Sequence, residues 1–445
     1  MTSKAAVLSF LGALMVVACA PWRSDAKLWA PVEGEVQAWI EQRSVAVVDP
    51  VGGLDLAPVC DGLAATPVLG LGESSHGVHE LKVAQLAVIQ CLARRPGPVT
   101  VLFELAYELG LEMDAYVQGT GPLPDLGTNN IVGTRELQAT LEWTREHNRH
   151  VAAADRVRIG GVDIHCWSAC TRPVIAYLKI VDPTRAIEAE RRLAAMATPY
   201  PRLGADAAAA LLVALAEARD DLIAQRERYQ GAHDPAAWAD ALHRLELARA
   251  HGSEAFESFP TAVSRDRVMA DNVEWFLASR RPQEHVLLIA HSGHIAADPQ
   301  RLANGRRAPP SMGEHLRRRL GLDYVAMHMA FGSGTFLTYR ANGIGSSKPG
   351  FANPLEVFPV AEPPRGTLEA MFSGGPALLD LRRLPPGGPV TAWFEWEQST
   401  RNLGNSWRRS FARWPFKSVG WTRLSPALAF DLVLYVPVGT PIVPL

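Results

Sequence analysis

Four apolar runs along the chain end on residues that can hold or move a proton. Val68 to Gly72 leads into Glu73-Ser74-Ser75-His76, and Val99 to Phe103 leads into Glu104. Val157 to Ile164 carries Asp163 and is followed by His165, and His285 to Ala290 leads into His291-Ser292-Gly293-His294. An imidazole exchanges protons near neutrality, and a carboxylate beside it selects its tautomer and stabilises the cation it forms as a base. Glu73 and His76, three residues apart, are such a pair. Water activated in this way attacks a carbonyl, and the oxyanion created there needs a donor, for which His291, His294 and Arg267 are candidates. A serine nucleophile fits poorly. Gly72-Glu73-Ser74-Ser75-His76 lacks the second glycine of a G-x-S-x-G elbow, and the neighbours Ser75 and His76 would rarely face each other. Taken alone, the stretch also describes a helix capped by Ser74 or Ser75 with an exposed histidine. Its repetition at four strand ends favours chemistry.

Those residues need strands that end together. In open α/β sheets, ligands bind outside the carboxyl ends of the strands. A continuous apolar run such as Val99 to Phe103 is a strand buried on both faces, which calls for helices above and below. Apolar periodicity predicts helices over Leu28 to Ala46, Leu54 to Leu63, Val78 to Arg94, Ala106 to Val117, Thr134 to Arg149, Ser264 to Ser279 and Ser311 to Leu320. From Asp182 to about His251 the chain is rich in Ala, Leu, Glu and Arg without strand candidates, a helical insertion over about 183–255. Tyr324 to Phe331 and Gly334 to Tyr339 are expected to form a hairpin. Ala377 to Leu381, Val390 to Phe394 and Phe430 to Val436 are expected as antiparallel additions to the sheet.

The chain's 445 residues, 48% of them hydrophobic, can bury one large core or two ordinary ones. Lys and Arg total 44 against 46 Asp and Glu with no block of one sign, which argues against a nucleic-acid partner or a polybasic membrane patch. At the start, Lys4, an apolar segment from Ala5 to Val17, and then Val16-Val17-Ala18-Cys19 resemble a bacterial lipoprotein signal. Residues 1–19 are then a signal ending at a lipidated Cys19, 20–34 a tether, and 35–445 a single domain. The protein would be anchored by its lipid to the membrane in the cell envelope, on the periplasmic or outer surface. An ordinary secretory signal cleaved near Ala18 or Ala20 also leads out of the cytoplasm. In such an oxidising compartment, Cys60, Cys91, Cys166 and Cys170 allow two disulfides, most economically Cys166 with Cys170 and Cys60 with Cys91. Their spacing does not suit zinc.

Seven stretches in order resemble the erythromycin esterase family: Gly72 to Glu80, Phe103-Glu104, Trp143 to Asn148, Gly161-Val162-Asp163, Arg265 to Asn272, Ala290 to Ile295, and Met312-Gly313 through Leu320-Gly321. Ala429-Phe430-Asp431 also fits. The resemblance implies a three-layer α/β/α fold with a central mixed sheet, a helical part over the cleft, and hydrolysis of a small-molecule ester or lactone without metal or cofactor. It makes His76 the general base, Glu73 and Glu104 its orienting carboxylates, and His291 and His294 groups lining the same cleft. Arg265, Arg267 and Asp163 are carried over as substrate-binding positions, and His165, just beyond the third apolar run, is added to them. Where the family pattern leads us to expect an arginine on the helix after His76, this chain has Lys82 and Gln85. Two other functions compete. Glu73, His76, Glu104, His291 and His294 form an adequate ligand set for a metallohydrolase, and an envelope lipoprotein could use such histidines to bind haem. Sensitivity to a chelator, or a Soret band, would reveal them.

Overall fold

The structure is a computed structural model of the whole chain, and it describes residues 29–47, 54–166, 168–197, 203–256, 264–301, 306–341, 353–412 and 419–445. The signal, Cys19 and most of the tether lie outside the described residues. The strands are β1 (Val45–Ala46), β2 (Val68–Glu73), β3 (Val99–Ala106), β4 (Arg158–Asp163), β5 (His285–His291), β6 (Tyr324–Arg340), β7 (Leu355–Val360), β8 (Ala377–Asp380), β9 (Gln398–Arg401), β10 (Ser406–Trp407), β11 (Trp421–Leu424) and β12 (Leu432–Gly439). The principal helices are α1 (Glu33–Arg43), α2 (Cys60–Ala64), α3 (His79–Ala93), α4 (Tyr107–Gln118), α5 (Arg135–His150), α6 (Ser168–Val181), α7 (Pro183–Arg192), α8 (Ala205–Ala224), α9 (Arg226–Ala232), α10 (Pro235–Phe256), α11 (Arg265–Ala278), α12 (Ser292–Ile295), α13 (Met312–Leu320), α14 (Pro389–Glu395) and α15 (Pro426–Ala429).

The chain forms two compact units. The first comprises residues 1–101, 115–158 and 281–445 and holds a mixed sheet with neighbours in the order β1-β8-β12-β6-β2-β5, to which β7 and β10 add through β6. β2 runs parallel to both β5 and β6, and every residue of β2 is buried, as a strand covered on both faces requires. Helices α3, α12 and α13 pack against these strands. Gly72 is needed where α12 starts, because a Cβ there would lie 2.9 Å from the Cα of Ser292. Cys60 of α2 and Cys91 of α3 are disulfide-bonded.

Three expectations about this sheet are corrected. The stretch from Tyr324 to Arg340 is one 17-residue strand rather than a hairpin. Its first half pairs with β2 and β12, and its second with β7 and β10. Gly332 and Gly334 look like turn residues, but they admit the adjacent chain instead: a Cβ on Gly334 would lie 2.1 Å from the carbonyl oxygen of Gly439. Val390 to Phe394 is helical in α14, with Pro389 in its first turn and Trp393 and Phe394 fully buried. A short apolar run reads the same as a strand or as a buried helix, and the proline favours the latter. β12 is antiparallel to β8 but parallel to β6.

The second unit comprises residues 102–114 and 159–280. It contains the end of β3, β4 from Ile159 onward, the start of α4, and α6 to α11. Its core packs Val174 and Leu178 of α6, Leu211 and Leu215 of α8, Tyr229 of α9, and Trp238 and Leu245 of α10. Cys166 and Cys170 are disulfide-bonded at the start of α6.

Candidate active site

In the first unit, Glu73 ends β2 and is 2% exposed. Its carboxylate accepts hydrogen bonds from His76 Nδ1, Lys82 Nζ and Gln85 Nε2, each at 2.7 Å. Lys82 and Gln85 sit one turn apart on α3, so the helix presents both to the carboxylate from one face. Burial alone would raise the pKa of Glu73. The Lys82 charge and the His76 hydrogen bond outweigh it and bring the carboxyl down from 4.5 to about 2. Glu73 is therefore an anion at working pH, and the His76 ring donates its Nδ1 proton to it. In the neutral ring this leaves Nε2 as the basic nitrogen.

His291 is the register partner of Glu73 on β5, and its ring centroid lies 5.0 Å from that of His76. Its Nδ1 accepts from the Gly293 N–H at 3.3 Å and caps α12, which places the proton of the neutral ring on Nε2. His294 follows within α12. Ser74 and Ser75 are fully buried, and neither caps α3. Ser75 Oγ accepts from the Gly77 N–H instead, and the N–H of His79 is taken by the carbonyl of Thr440. His79 bonds Glu136 at 2.7 Å, and Glu80 accepts from the N–H and hydroxyl of Thr440. These two residues hold the end of the chain.

In the second unit, Arg265 of α11 forms a two-pronged bond to Asp163 with both contacts at 2.8 Å, and its NH2 group reaches Glu104 at 2.9 Å. His165 Nδ1 bonds Asp163 at 2.8 Å, and its ring lies 5.2 Å from that of His251. Burial works to raise the pKa of Asp163, but hydrogen bonds from Arg265 and His165 hold it well below the usual carboxylate range. The bond to Asp163 raises the pKa of His165, while burial pushes His251 down to about 4. The expected positions Glu104, Asp163, His165 and Arg265 thus form one charged group. Arg267 stands apart from it, 65% exposed and 3.9 Å from Asp271 on its own helix.

Lys82 and Gln85 become partners of Glu73, a role the sequence did not disclose. Three to twelve residues separate the four groups, but only the strand-to-helix turn brings them together. Among the described residues, no three His, Cys, Asp or Glu side chains converge as a metal site.

The erythromycin esterase family model matches residues 96–438. The chain belongs to the erythromycin esterase family. Membership makes it a hydrolase of the esterase type, and the matched span begins after the Glu73–His76 turn. Erythromycin esterase type II of Escherichia coli is 24% identical over 349 residues, covering 72% of this chain and 81% of that protein. Among solved structures, a Bacillus cereus protein of 17% identity superposes with a TM-score of 0.77 over 92% of this chain and 98% of that one. A mutant of the erythromycin esterase EreC in its open conformation superposes at 15% identity with a TM-score of 0.67, over 89% and 97% of the respective chains. At these identities the likeness shows the erythromycin esterase fold, with its mixed sheet and packed helices.

Proposed function

We propose that this erythromycin esterase family member hydrolyses a bulky ester or macrolactone with water activated by His76, without a metal ion. The single observation that carries the reading is the 2.7 Å bond from His76 Nδ1 to an ionised, buried Glu73. His76 Nε2 takes a proton from water as the oxygen attacks the carbonyl carbon. The carbonyl π electrons move to the oxygen, where His291 supplies a hydrogen bond to the oxyanion. The tetrahedral intermediate then collapses, the C–O bond breaks, and the leaving alcohol takes the proton back from His76. Positioned acid–base catalysis of this kind contributes about 10²- to 10⁴-fold. A metal role for Glu73 is disfavoured chemically, because its two oxygens already bind a lysine ammonium, an amide and an imidazole.

The substrate class is inferred from relatives named for erythromycin, which makes a macrolactone the first compound to try. The lipobox-like sequence at Cys19 supports attachment to the cell envelope. The test is incubation of a periplasmically produced protein starting near Leu28 with erythromycin and simple esters, with and without chelator, read as gain of one water by mass spectrometry. Turnover should survive the chelator and vanish in a folded His76→Ala variant. Turnover retained by that variant would remove His76 from the mechanism. Loss on chelation, reversed by added divalent metal, would establish the metal-dependent alternative.

A further inference from the structure

Beneath the strand ends that carry Glu73 and His291 lies a chain of buried polar groups that the proposed chemistry does not use. Ser292 follows His291, and its hydroxyl donates to the carbonyl of Gly72 at 2.8 Å. The two strands bearing Glu73 and His291 are thus tied together one residue from each. The same hydroxyl oxygen lies 3.0 Å from His328 Nδ1, on β6 directly opposite Gly72. On its other side, His328 Nε2 is 3.0 Å from Thr400 Oγ1, and Thr400 donates to Glu369 Oε1 at 2.8 Å. His328 and Glu369 are both 0% exposed.

Counting protons decides the state of this chain. Its four contacts need four protons, and the hydroxyls of Ser292 and Thr400 supply one each. Ser292 spends its proton on Gly72, which can only accept. His328 and Glu369 must therefore supply two between them. Either the ring is an imidazolium beside a carboxylate, or it is neutral beside a protonated Glu369. A protonated Glu369 would need its proton on Oε1, in the contact with Thr400, yet that oxygen also accepts the Arg401 N–H at 2.7 Å, as an ionised oxygen does most strongly. Burial works against ionisation of Glu369, yet the His328 ring, 3.7 Å away, and the Arg401 charge bring it below its ordinary range. The ring also stacks on Phe430, with centroids 4.7 Å apart, a favourable place for a cation.

We propose that His328 is a positioning residue, held as a buried imidazolium by Glu369 through Thr400, which fixes the Ser292 hydroxyl and with it the relative placement of Glu73 and His291. A neutral ring could not donate on both sides. With Nδ1 donating to Ser292, a neutral ring takes the Thr400 proton on Nε2, and Thr400 then has none left for an ionised Glu369, so one buried contact goes unmatched, which is costly. The catalytic consequence rests on the reading of Glu73, His76 and His291 given above. The proton assignment does not.

The test uses the mature-length chain labelled with ¹⁵N-histidine. In the wild type at pH 7, both ring nitrogens of His328 should carry protons, and Glu369→Gln should reduce this to one. A single protonated nitrogen in the wild type would overturn the assignment. Thr400→Val cuts the chain while keeping the shape of the side chain. It should shift the ring signals of His291 and His76, leave those of the exposed His150 in place, and lower kcat roughly ten- to hundredfold with KM within about twofold, as small misplacements of reacting groups do. Thr400→Ser should restore both readouts. A folded Thr400→Val with unmoved His291 and His76 signals would refute positioning. If the wild type hydrolyses no ester, the functional reading fails, and the ring signals still decide the role of His328.

Discussion

Replacing Glu73 by Gln keeps the shape of the side chain, removes its charge and turns one oxygen into a donor facing the Lys82 ammonium. Glu73 is held at about 2 against an ordinary 4.5, a difference worth about 3 kcal/mol of stability at neutral pH. Because the folded value lies below the unfolded one, that stabilisation is complete above about pH 4.5 and is lost as the pH falls toward 2. Roughly 2 kcal/mol of it is gone by pH 3. Urea unfolding of wild type and Glu73→Gln, followed by tryptophan fluorescence, should therefore give a stability difference that narrows by about 2 kcal/mol between pH 6 and pH 3. At neutral pH the variant should also lose about 10²- to 10⁴-fold in kcat, since a neutral amide neither fixes the His76 tautomer nor stabilises its cation. A stability difference that stays flat over this range would refute a buried, ionised Glu73. A fully active variant would remove the carboxylate from the mechanism.

Lys82→Met removes the ammonium that most strongly counters the burial of Glu73. It should destabilise the protein by about 2 kcal/mol at pH 7, between the values for surface and fully buried pairs, with the loss shrinking toward pH 3; equal losses at both pH values would contradict this. Arg265→Ala leaves Asp163 and Glu104 without their shared cation and should cost about 3 kcal/mol or more in chemical denaturation. Arg265→Lys should recover only part of this, because an ammonium cannot reproduce the two-pronged bond, and full recovery would argue against that geometry. Labelled fatty acid should be incorporated into the full-length wild-type chain and not into Cys19→Ser; equal labelling would dismiss the lipobox.

Much of both charged clusters was legible because their residues stand at the ends of apolar runs. A strand buried on both faces has a hydrophobic signature, and the polar residues that stop it are conspicuous, as at Glu73, Glu104, Asp163 and His291. The helices of the second unit were legible for a similar reason, since Asp182 to about His251 keeps its apolar positions three and four apart. The failures are as physical. Gly332 and Gly334 admit a neighbouring strand, a purpose local sequence cannot distinguish from a turn. Val390 to Phe394 is too short for its period to choose between strand and helix.

The sequence by itself determined which residues could carry charge at strand ends, because burial pattern and residue type are local properties. Only the tertiary structure decided which charges meet. It set Lys82 and Gln85 on Glu73, placed His291 opposite Glu73 through the pairing of β2 with β5, and separated Arg267 from Arg265 by pointing it outward from α11. His328 shows the division most clearly. It is a lone histidine in the apolar run from Tyr324 to Phe331, with partners at 292 and 400 and, through Thr400, at 369. Its charge depends on hydrogen bonds between segments far apart in the chain, and such bonds exist only once the sheet has formed.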